Sequence, residues 1–420
     1  MTARQPEVLI VGGGVIGACS AYFLAKAGRR VTLLEKGEIC SGSSHGNAGL
    51  TAYSHVTPLA APGVLAQSLR WLLRPYSPFH IKPRLDPELL RWLWHFRAAC
   101  SENRMRSTIP VLLALGQASR RLHVQLHATE NLHCDYQYSG RLYVFNSRTH
   151  FEAGLHEAEL LRGYGVETRV LAGAELQRTE PHLLPSVIGG IYYPDYGSLI
   201  PDRFVHALAQ AARRLGVAIE SSTEVRGFEI SGRRITAVRT ERGDHRAEEV
   251  VLAAGAFTPL LARPLGLRLP IQPAKGYSLT MKKTAACPQL PLSLEERKLA
   301  ATPMGDRLRL CSALELVGYD SAINPRRVAA IYAGARDYLA KIDESSPAEP
   351  WCGFRPLTPD SLPIIGRSPQ HDNLTIAAGH GTLGITQGPV TGQLVTQLLA
   401  AEQPDIDLHP LRVSRFPQPR

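Results

Sequence analysis

The 420-residue chain predicts an α/β fold, α+β overall, divided into two domains, and three observations lead there. The first 35 residues hold a strand, a glycine turn, a helix and a second strand, the opening unit of a doubly wound parallel sheet. Later stretches, at 217–240, 270–283 and 307–316, alternate apolar and polar residues as antiparallel strands do. The length also exceeds what one ordinary core accommodates, so two domains are expected.

The opening unit carries the most information. Val8-Leu9-Ile10-Val11 is an apolar run suited to a strand buried on both faces. Gly12, Gly14 and Gly17 follow in G-x-G-x-x-G spacing, with Val15 and Ile16 between them. Residues 18–27 read as a helix, with Gly28 at a C-cap position, and 31–34 read as a strand ending at Glu35. One glycine makes the tight turn, one lets the backbone approach a pyrophosphate, and one lets helix and strand pack closely. The first helical N–H groups then face phosphates, and the carboxylate reaches a ribose hydroxyl. The unit is a Rossmann-type dinucleotide site. Two other readings compete for it. Residues 8–25 carry no charge, as a membrane span would, and Ile16-Gly17-Ala18-Cys19 resembles a lipoprotein cleavage site. Four glycines at these positions serve neither, and the preceding basic region is only Arg4, followed by Glu7.

Composition narrows the class. With 44% hydrophobic and 20% charged residues, the chain reads as a soluble globular protein. Seven cysteines form no C-x-x-C pair and no even framework, which points to reduced thiols and a cytoplasmic setting. The net charge of +10 comes from scattered arginines without a basic tract, so no nucleic-acid partner is expected. No metal-spaced His/Cys cluster is present, and no metal is expected.

Beyond Glu35 and Lys36 comes a loop of small residues, 40–49, containing Ser43, Ser44, Asn47, Ala48 and Gly49. Its backbone donors suit a large flat ligand and its phosphates, and a plain surface linker is the competing reading. Amphipathic stretches at 65–73 and 87–99 hold Trp71, Trp92 and Trp94 among Arg70, Arg74, Arg91 and Arg97. Peripheral contact with a membrane and ordinary core helices explain this mixture equally well. Residues 109–126 read as a helix and 141–145 as a strand; Pro201-Asp202 opens another helix. Residues 249–256 form an apolar strand running into a small-residue turn at Ala254-Gly255. Residues 374–378 form a strand that leads into Gly379-His380-Gly381 and a final helix.

Several motifs beyond the glycine turn match one family. They are Asn47-Ala48-Gly49 with Ala60-Ala61-Pro62-Gly63, Lys275-Gly276-Tyr277-Ser278, the run Gly353 to Asp360 (GFRPLTPD), and Gly379-His-Gly-Thr-Leu-Gly384. Over nearly its whole length the chain resembles the FAD-dependent D-amino-acid oxidase and glycine oxidase superfamily, most of all its bacterial D-amino-acid dehydrogenase small-subunit branch. The resemblance implies a discontinuous FAD domain (1–88, 198–268 and 352–410). It implies a substrate domain with a mixed, largely antiparallel sheet (89–197 and 269–351). FAD would be the cofactor, bound without a covalent link, although Cys311 falls near a region where some sarcosine oxidases attach flavin. Glu35 would bind the adenosine ribose, with Lys36 beside it, and Val225 would lie against the adenine. Ala254 and Gly255 would close the FAD domain, and Gly381, Thr382, Leu383 and Gly384 would face the flavin pyrimidine. Arg355 matches the arginine that pairs with a substrate carboxylate, for which a guanidinium has the right bidentate geometry. Tyr277 matches a pocket tyrosine; between Ala48 and Pro62, where the dehydrogenase pattern has aromatics, this chain departs from it with Tyr53, His55 and Leu59 on the expected substrate side. His380 reads as a turn residue rather than a base.

The implied activity is oxidation of a D-amino acid, cyclic ones such as D-proline or a hydroxy-D-proline included. Hydride would leave Cα for flavin N5, and electrons would pass to a quinone-type acceptor. The run Ile385-Thr-Gln-Gly388 is nearer the sarcosine and glycine oxidases, so an oxidase producing peroxide stays open. So does a non-catalytic flavin- or nucleotide-binding subunit. Substrate identity, oligomeric state and any contact with the inner face of the cell membrane are open at this stage.

Overall fold

The computed structural model describes residues 6–418 except 55–56, 67, 69–76 and 343–348. Its first large sheet has six strands in the order Ile364–Arg367, Leu374–Ala378, Glu249–Leu252, Val8–Val11, Val31–Leu34, Ala218–Glu220. Neighbours run parallel, apart from the antiparallel pair at the 364–367 edge. Val8–Val11 and Val31–Leu34 are buried at every residue because both faces of the sheet are covered. Val8 and Ile10 pack towards the helices Val15–Lys26 and Pro201–Arg214, while Leu9 and Val11 pack towards Val225, Ile235 and Val238. Those three residues come from a small antiparallel sheet of Val225–Ser231, Arg234–Thr240 and Gly243–His245.

Helix Gly384–Leu399 lies against Val15–Lys26 at close range. Gly388 and Gly392 allow this: a Cβ on Gly392 would stand 2.7 Å from the Cys19 carbonyl, and one on Gly388 2.9 Å from the Val15 side chain. Gly384 also neighbours Val15, so the two helices begin side by side. Each N-terminus carries roughly half a positive charge, and here the two converge.

The second large sheet is mixed. It runs Glu349–Leu357, Gln272–Lys282, Arg307–Leu316, Leu299–Met304, Leu292–Leu294, Arg141–Phe145, Gly189–Tyr193, Arg169–Leu171, and Phe79–Ile81 pairs beside Arg307–Leu316. Register separates its faces. Leu142, Leu292, Ala301, Leu310 and Leu279 stand directly opposite one another across five strands and form a core with Ile331 and Ala335 of helix Pro325–Arg336. Leu142, Leu292 and Leu310 are fully buried, and truncating such a residue to alanine typically removes about 2–5 kcal/mol. The adjacent row is Tyr143, Ser293, Ala300, Cys311, Ser278 and Trp351, on the opposite face. That polar face looks towards the 40–49 loop.

The connectivity departs from the implied segments at two places. Strands Phe79–Ile81 and Glu349–Leu357 belong to the mixed sheet, so a boundary at 352 falls inside a strand. Helix Glu102–Glu130 packs on Gly384–Leu399 and sends Leu126 into the core beside Val15–Lys26. The tryptophan-rich stretch divides residue by residue. Trp92 is 3% exposed, stacks on Phe96 at 5.0 Å and donates its indole N–H to the Leu357 carbonyl at 2.9 Å. Trp94 is 70% exposed. Trp71, Arg70 and Arg74 lie outside the described residues.

Candidate functional site

The glycine turn is as tight as its spacing demands. Gly12 has φ +116°, and its added Cβ would fall 2.5 Å from the Ala253 carbonyl; one on Gly17 would fall 1.8 Å from the Gly12 carbonyl. Helix Val15–Lys26 has no side-chain cap at Gly14. Its Val15 N–H donates to Ser44 Oγ at 3.0 Å, which ties the 40–49 loop to the turn. The Ile16 and Gly17 N–H groups take no protein acceptor among the described residues, leaving donors for an anion. Glu35 accepts from the Gly13 N–H at 2.6 Å and the Gly37 N–H at 3.0 Å. Each oxygen keeps further acceptor capacity for hydroxyl groups. The Thr223 N–H bonds to the Glu35 carbonyl at 2.8 Å, and Val225 is buried just beyond. Lys36 holds its ammonium 3.5 Å above the Phe257 ring, in the 3-10 turn that follows Ala254 and begins at Gly255, φ +55°.

The 40–49 loop is clamped from the mixed sheet. Arg309, 4% exposed, donates through Nη1 to the carbonyls of His45 and Asn47, both at 2.8 Å, and through Nε to Thr280 Oγ1 at 3.0 Å. Ser43 donates to the Phe354 carbonyl. The Gly49 N–H bonds back to Asn47 Oδ1 at 2.8 Å past Ala48, and Gly49, φ +70°, has no space for a Cβ beside the Leu199 carbonyl. The loop therefore forms a fixed bridge between the two sheets.

The C-terminal turn faces the same crevice. Gly379 and Gly381 adopt φ +80° and +56°, and the Gly381 N–H bonds to the Pro356 carbonyl at 3.0 Å. Thr382 and Leu383 lead into helix Gly384–Leu399, which also has no side-chain cap. Its first bonded N–H in the pattern is that of Gln387, to Leu383, so the earlier amides stay available. Thr386 Oγ1 accepts from the Ala52 N–H at 3.0 Å, and His123 bonds to the Ile385 carbonyl at 3.1 Å. Because Thr391 donates to the Gln387 carbonyl, His380 Nε2–H donates to Thr391 Oγ1 at 2.9 Å. Burial lowers the His380 pKa to about 3, so it is neutral and occupied as a structural turn residue.

Arg355 lies on the polar face of the mixed sheet, folded over Gly276, where a Cβ would fall 2.1 Å from its Nη1. Its Nη1 donates to the Ala313 carbonyl at 2.6 Å. It pairs with no carboxylate among the described residues, whereas Arg327 has Glu315, Arg367 has Glu249 and Arg415 has Asp360. Desolvation lowers its pKa below the ordinary guanidinium value. A half-buried guanidinium without a counter-charge is stabilised when an anion joins it. Cys311, on the same face, directs its thiol at the Gly46 carbonyl, 3.9 Å away, and burial raises its pKa.

The structure does not bring the other two described pocket candidates beside Arg355. Tyr277 is one position out of phase with Gly276 and Ser278, so the strand's period of two turns it to the opposite face. Its hydroxyl donates to Glu315 at 2.9 Å, and desolvation with that carboxylate raises its pKa. Tyr53 is buried beneath helix Glu102–Glu130, with its hydroxyl 3.0 Å from that of Tyr136 and its ring 5.9 Å from His123. His55 lies outside the described residues. Arg309, a second arginine on the polar face, is occupied by the loop carbonyls. Three contributors carry no local signal strong enough to single them out: the Arg309 clamp, the Ser44 bond and the Gly388/Gly392 contact. The last is legible afterwards as a G-x-x-x-G spacing.

The glycine cradle, the carboxylate of Glu35 and two converging helix N-termini fit a dinucleotide with an extended flavin end. The adjoining sheet face, bearing a half-buried arginine with no carboxylate partner among the described residues, fits an anionic substrate. Together they define a flavin-dependent oxidoreductase. The chain belongs to the family of FAD-dependent oxidoreductases described as DAO, whose pattern matches residues 7–398, and FAD is its cofactor. A D-amino acid dehydrogenase of Paramagnetospirillum magneticum is 37% identical over 98% of this chain and 99% of its own. One from Chromohalobacter salexigens is 34% identical over 98% and 99%. Among solved structures, glycine oxidase from Geobacillus kaustophilus matches with TM-score 0.80 at 24% identity, covering 98% of this chain and 99% of its own. L-proline dehydrogenase from P. horikoshii matches with TM-score 0.76 at 20% identity over 98% of each chain. These structural likenesses establish the fold.

Proposed function

We propose that the chain is a D-amino-acid dehydrogenase that binds the substrate carboxylate through Arg355. One observation carries the reading: a half-buried guanidinium without a carboxylate partner among the described residues, on the sheet face that the 40–49 loop covers. The names of the full-length relatives support the substrate class. When bound, FAD supplies the acceptor for the hydride that leaves the substrate Cα. Arg355 fixes the carboxylate bidentately and so orients Cα–H, and such positioning contributes much of the rate. The free amides at the start of helix Gly384–Leu399 would face the flavin end of FAD and offer it hydrogen-bond donors and the positive end of the helix dipole. The 40–49 loop, locked by Arg309, keeps water from the reacting atoms.

Electrons then pass to a quinone-type acceptor. Leu90 and Trp94, four residues apart on helix Pro87–Ala99, and Leu85 before it are exposed beside the exposed Arg91 and Arg97. That combination suits peripheral contact with an anionic membrane surface, where quinones reside. No helix among the described residues is long and apolar enough to cross a membrane. The test is anaerobic mixing of the yellow holoenzyme with a panel of D- and L-amino acids, D-proline included. Bleaching by D-enantiomers, followed by faster reoxidation with a quinone analogue than with oxygen, is expected. Bleaching by L-amino acids alone defeats the substrate class, and peroxide formed as fast as quinone is reduced defeats the dehydrogenase assignment.

A further inference from the structure

Where helix Glu102–Glu130 packs on helix Gly384–Leu399, it carries two polar residues that spend their donors on the first turn of its neighbour. Gly116, Ser119 and His123 stand three and four residues apart and so share one face. Gly116 brings the helix close to the Tyr53 carbonyl, which an added Cβ would approach to 2.3 Å. Ser119, fully buried, donates through its hydroxyl to the Thr386 carbonyl. His123, also fully buried, places Nε2 3.1 Å from the Ile385 carbonyl. A carbonyl only accepts, so Nε2 carries the proton and His123 is the donor. Burial lowers the His123 pKa to about 3, so the ring is neutral, and its Nδ1 has no partner among the described residues. Rings packed around it fix its plane: Phe204 at 5.3 Å, Tyr53 at 5.9 Å, and Tyr136 at 6.1 Å and nearly parallel.

The Ile385 carbonyl needs that donor because of Pro389. In an α-helix the carbonyl of residue 385 pairs with the N–H of residue 389. Residue 389 is a proline inside this helix, so that N–H does not exist, and its ring crowds the carbonyl one turn back. A buried carbonyl without a donor is costly, and His123 supplies the missing bond from a neighbouring helix. The same bond reaches the ligand side. The Ile385 carbonyl and the Thr386 N–H belong to one peptide group, and that N–H takes no backbone acceptor among the described residues. A donor at the oxygen draws electron density out of the amide and strengthens the bond its N–H can give, by about 10–30%.

We propose that His123 is a positioning residue for the flavin: through the Ile385–Thr386 peptide it holds and polarises the free amide at the start of helix Gly384–Leu399. This rests on the placement of the flavin end of FAD at that helix start, proposed above. His123 acts through the peptide and not by contact with the ring. Reduction adds electron density to a flavin, and a stronger donor favours the reduced form. Loss of the His123 donor therefore lowers the reduction potential of the bound cofactor.

The test reads the two-electron reduction potential of the holoenzyme flavin against a reference dye. No amino acid is present, so the substrate assignment does not enter it. Wild type is compared with His123→Phe, His123→Gln, and His123→Phe combined with Pro389→Ala. His123→Phe keeps a flat ring without the donor and should lower the equilibrium constant for reduction by about 3- to 10-fold, or about 15–30 mV. His123→Gln offers an N–H at similar reach and should recover most of the loss. Pro389→Ala returns a backbone N–H to the Ile385 carbonyl and should recover it too. An unchanged potential in His123→Phe with full flavin would overturn the proposal. So would a fall that neither His123→Gln nor Pro389→Ala recovers, since the loss would not trace to the carbonyl. Should His123→Phe not load FAD, the double variant decides: a potential near the wild type supports the bond, and an empty or still shifted protein overturns it. Gly384→Asp checks the cofactor placement separately, because a Cβ there meets nothing closer than 3.7 Å. Its carboxylate should lower the potential if the flavin end lies at the helix start, and no change would sink the placement itself.

Discussion

The two large sheets handle ligands by opposite means. In the parallel sheet nearly everything offered is backbone: free amides of Ile16 and Gly17, the turn at Gly12, and the uncapped start of helix Gly384–Leu399. In the mixed sheet what is offered is a side chain, the guanidinium of Arg355, projected from one face of antiparallel strands. Backbone recognition suits a cofactor whose phosphates never change. Side-chain recognition leaves the scaffold intact when the substrate differs, because a strand residue can be exchanged without moving its neighbours. Arg309 spans the two regimes, since it anchors a backbone-donor loop from a side-chain sheet.

The contrast predicts where substitutions act, and the sharpest effect belongs to the backbone site. Gly17→Ala puts a Cβ 1.8 Å from the Gly12 carbonyl, so the helix must shift away from the turn. The flavin-to-protein absorbance ratio should collapse, with a stability loss of about 1–3 kcal/mol from overpacking. A variant that purifies with full flavin would show that the turn tolerates movement.

Arg355→Ala should keep flavin and lose substrate. Leaving an enclosed carboxylate unpaired costs about 2–5 kcal/mol, roughly 30- to 5,000-fold in the reductive half-reaction. Arg355→Lys keeps the charge without the bidentate fork and should fall between the two. Benzoate should perturb the wild-type flavin spectrum and barely affect the alanine variant. If Arg355→Ala bleaches at the wild-type rate, the arginine is a scaffold residue.

Acid should loosen the junction between helix Gly384–Leu399 and its neighbours. Burial lowers the pKa of His123 and of His380 to about 3, below the unfolded value near 6.5. The unfolded chain therefore binds more protons than the folded chain between those limits. Stability is fully present above pH 6.5 and falls as pH drops, by at most about 1.4 kcal/mol per pH unit for each histidine. Urea midpoints at pH 7, 6 and 5 would measure it, and His380→Gln should reduce the slope by one histidine's share. An unchanged slope would mean that His380 is protonated in the fold.

The smallest effect is expected at Tyr277, on the opposite face from Arg355. Tyr277→Phe removes the bond to Glu315, which keeps Arg327, and should cost about 1 kcal/mol of stability. Flavin bleaching should be unchanged. A large loss of reductive rate would return Tyr277 to the substrate pocket.

The parallel half was legible from the sequence because its chemistry is local. Gly12, Gly14, Gly17 and Glu35 occupy one strand–turn–helix–strand unit, and its backbone geometry limits which residues can stand there. The loop at 40–49 and the turn at 379–384 were legible for the same reason. Arg355 came from its motif, and the structure adds the absence of a described carboxylate partner. What tertiary structure alone decided was register and approach. A period of two separates Tyr277 from Arg355, although both belong to recognisable motifs on adjacent strands. The row from Tyr143 to Trp351 joins residues more than two hundred positions apart, and only strand pairing selects them. Likewise the Gly388/Gly392 stripe has meaning only with Cys19 against it. Local patterns specify a backbone conformation within a few residues of chain, whereas the pairing of distant strands and helices emerges from the packing of the whole core.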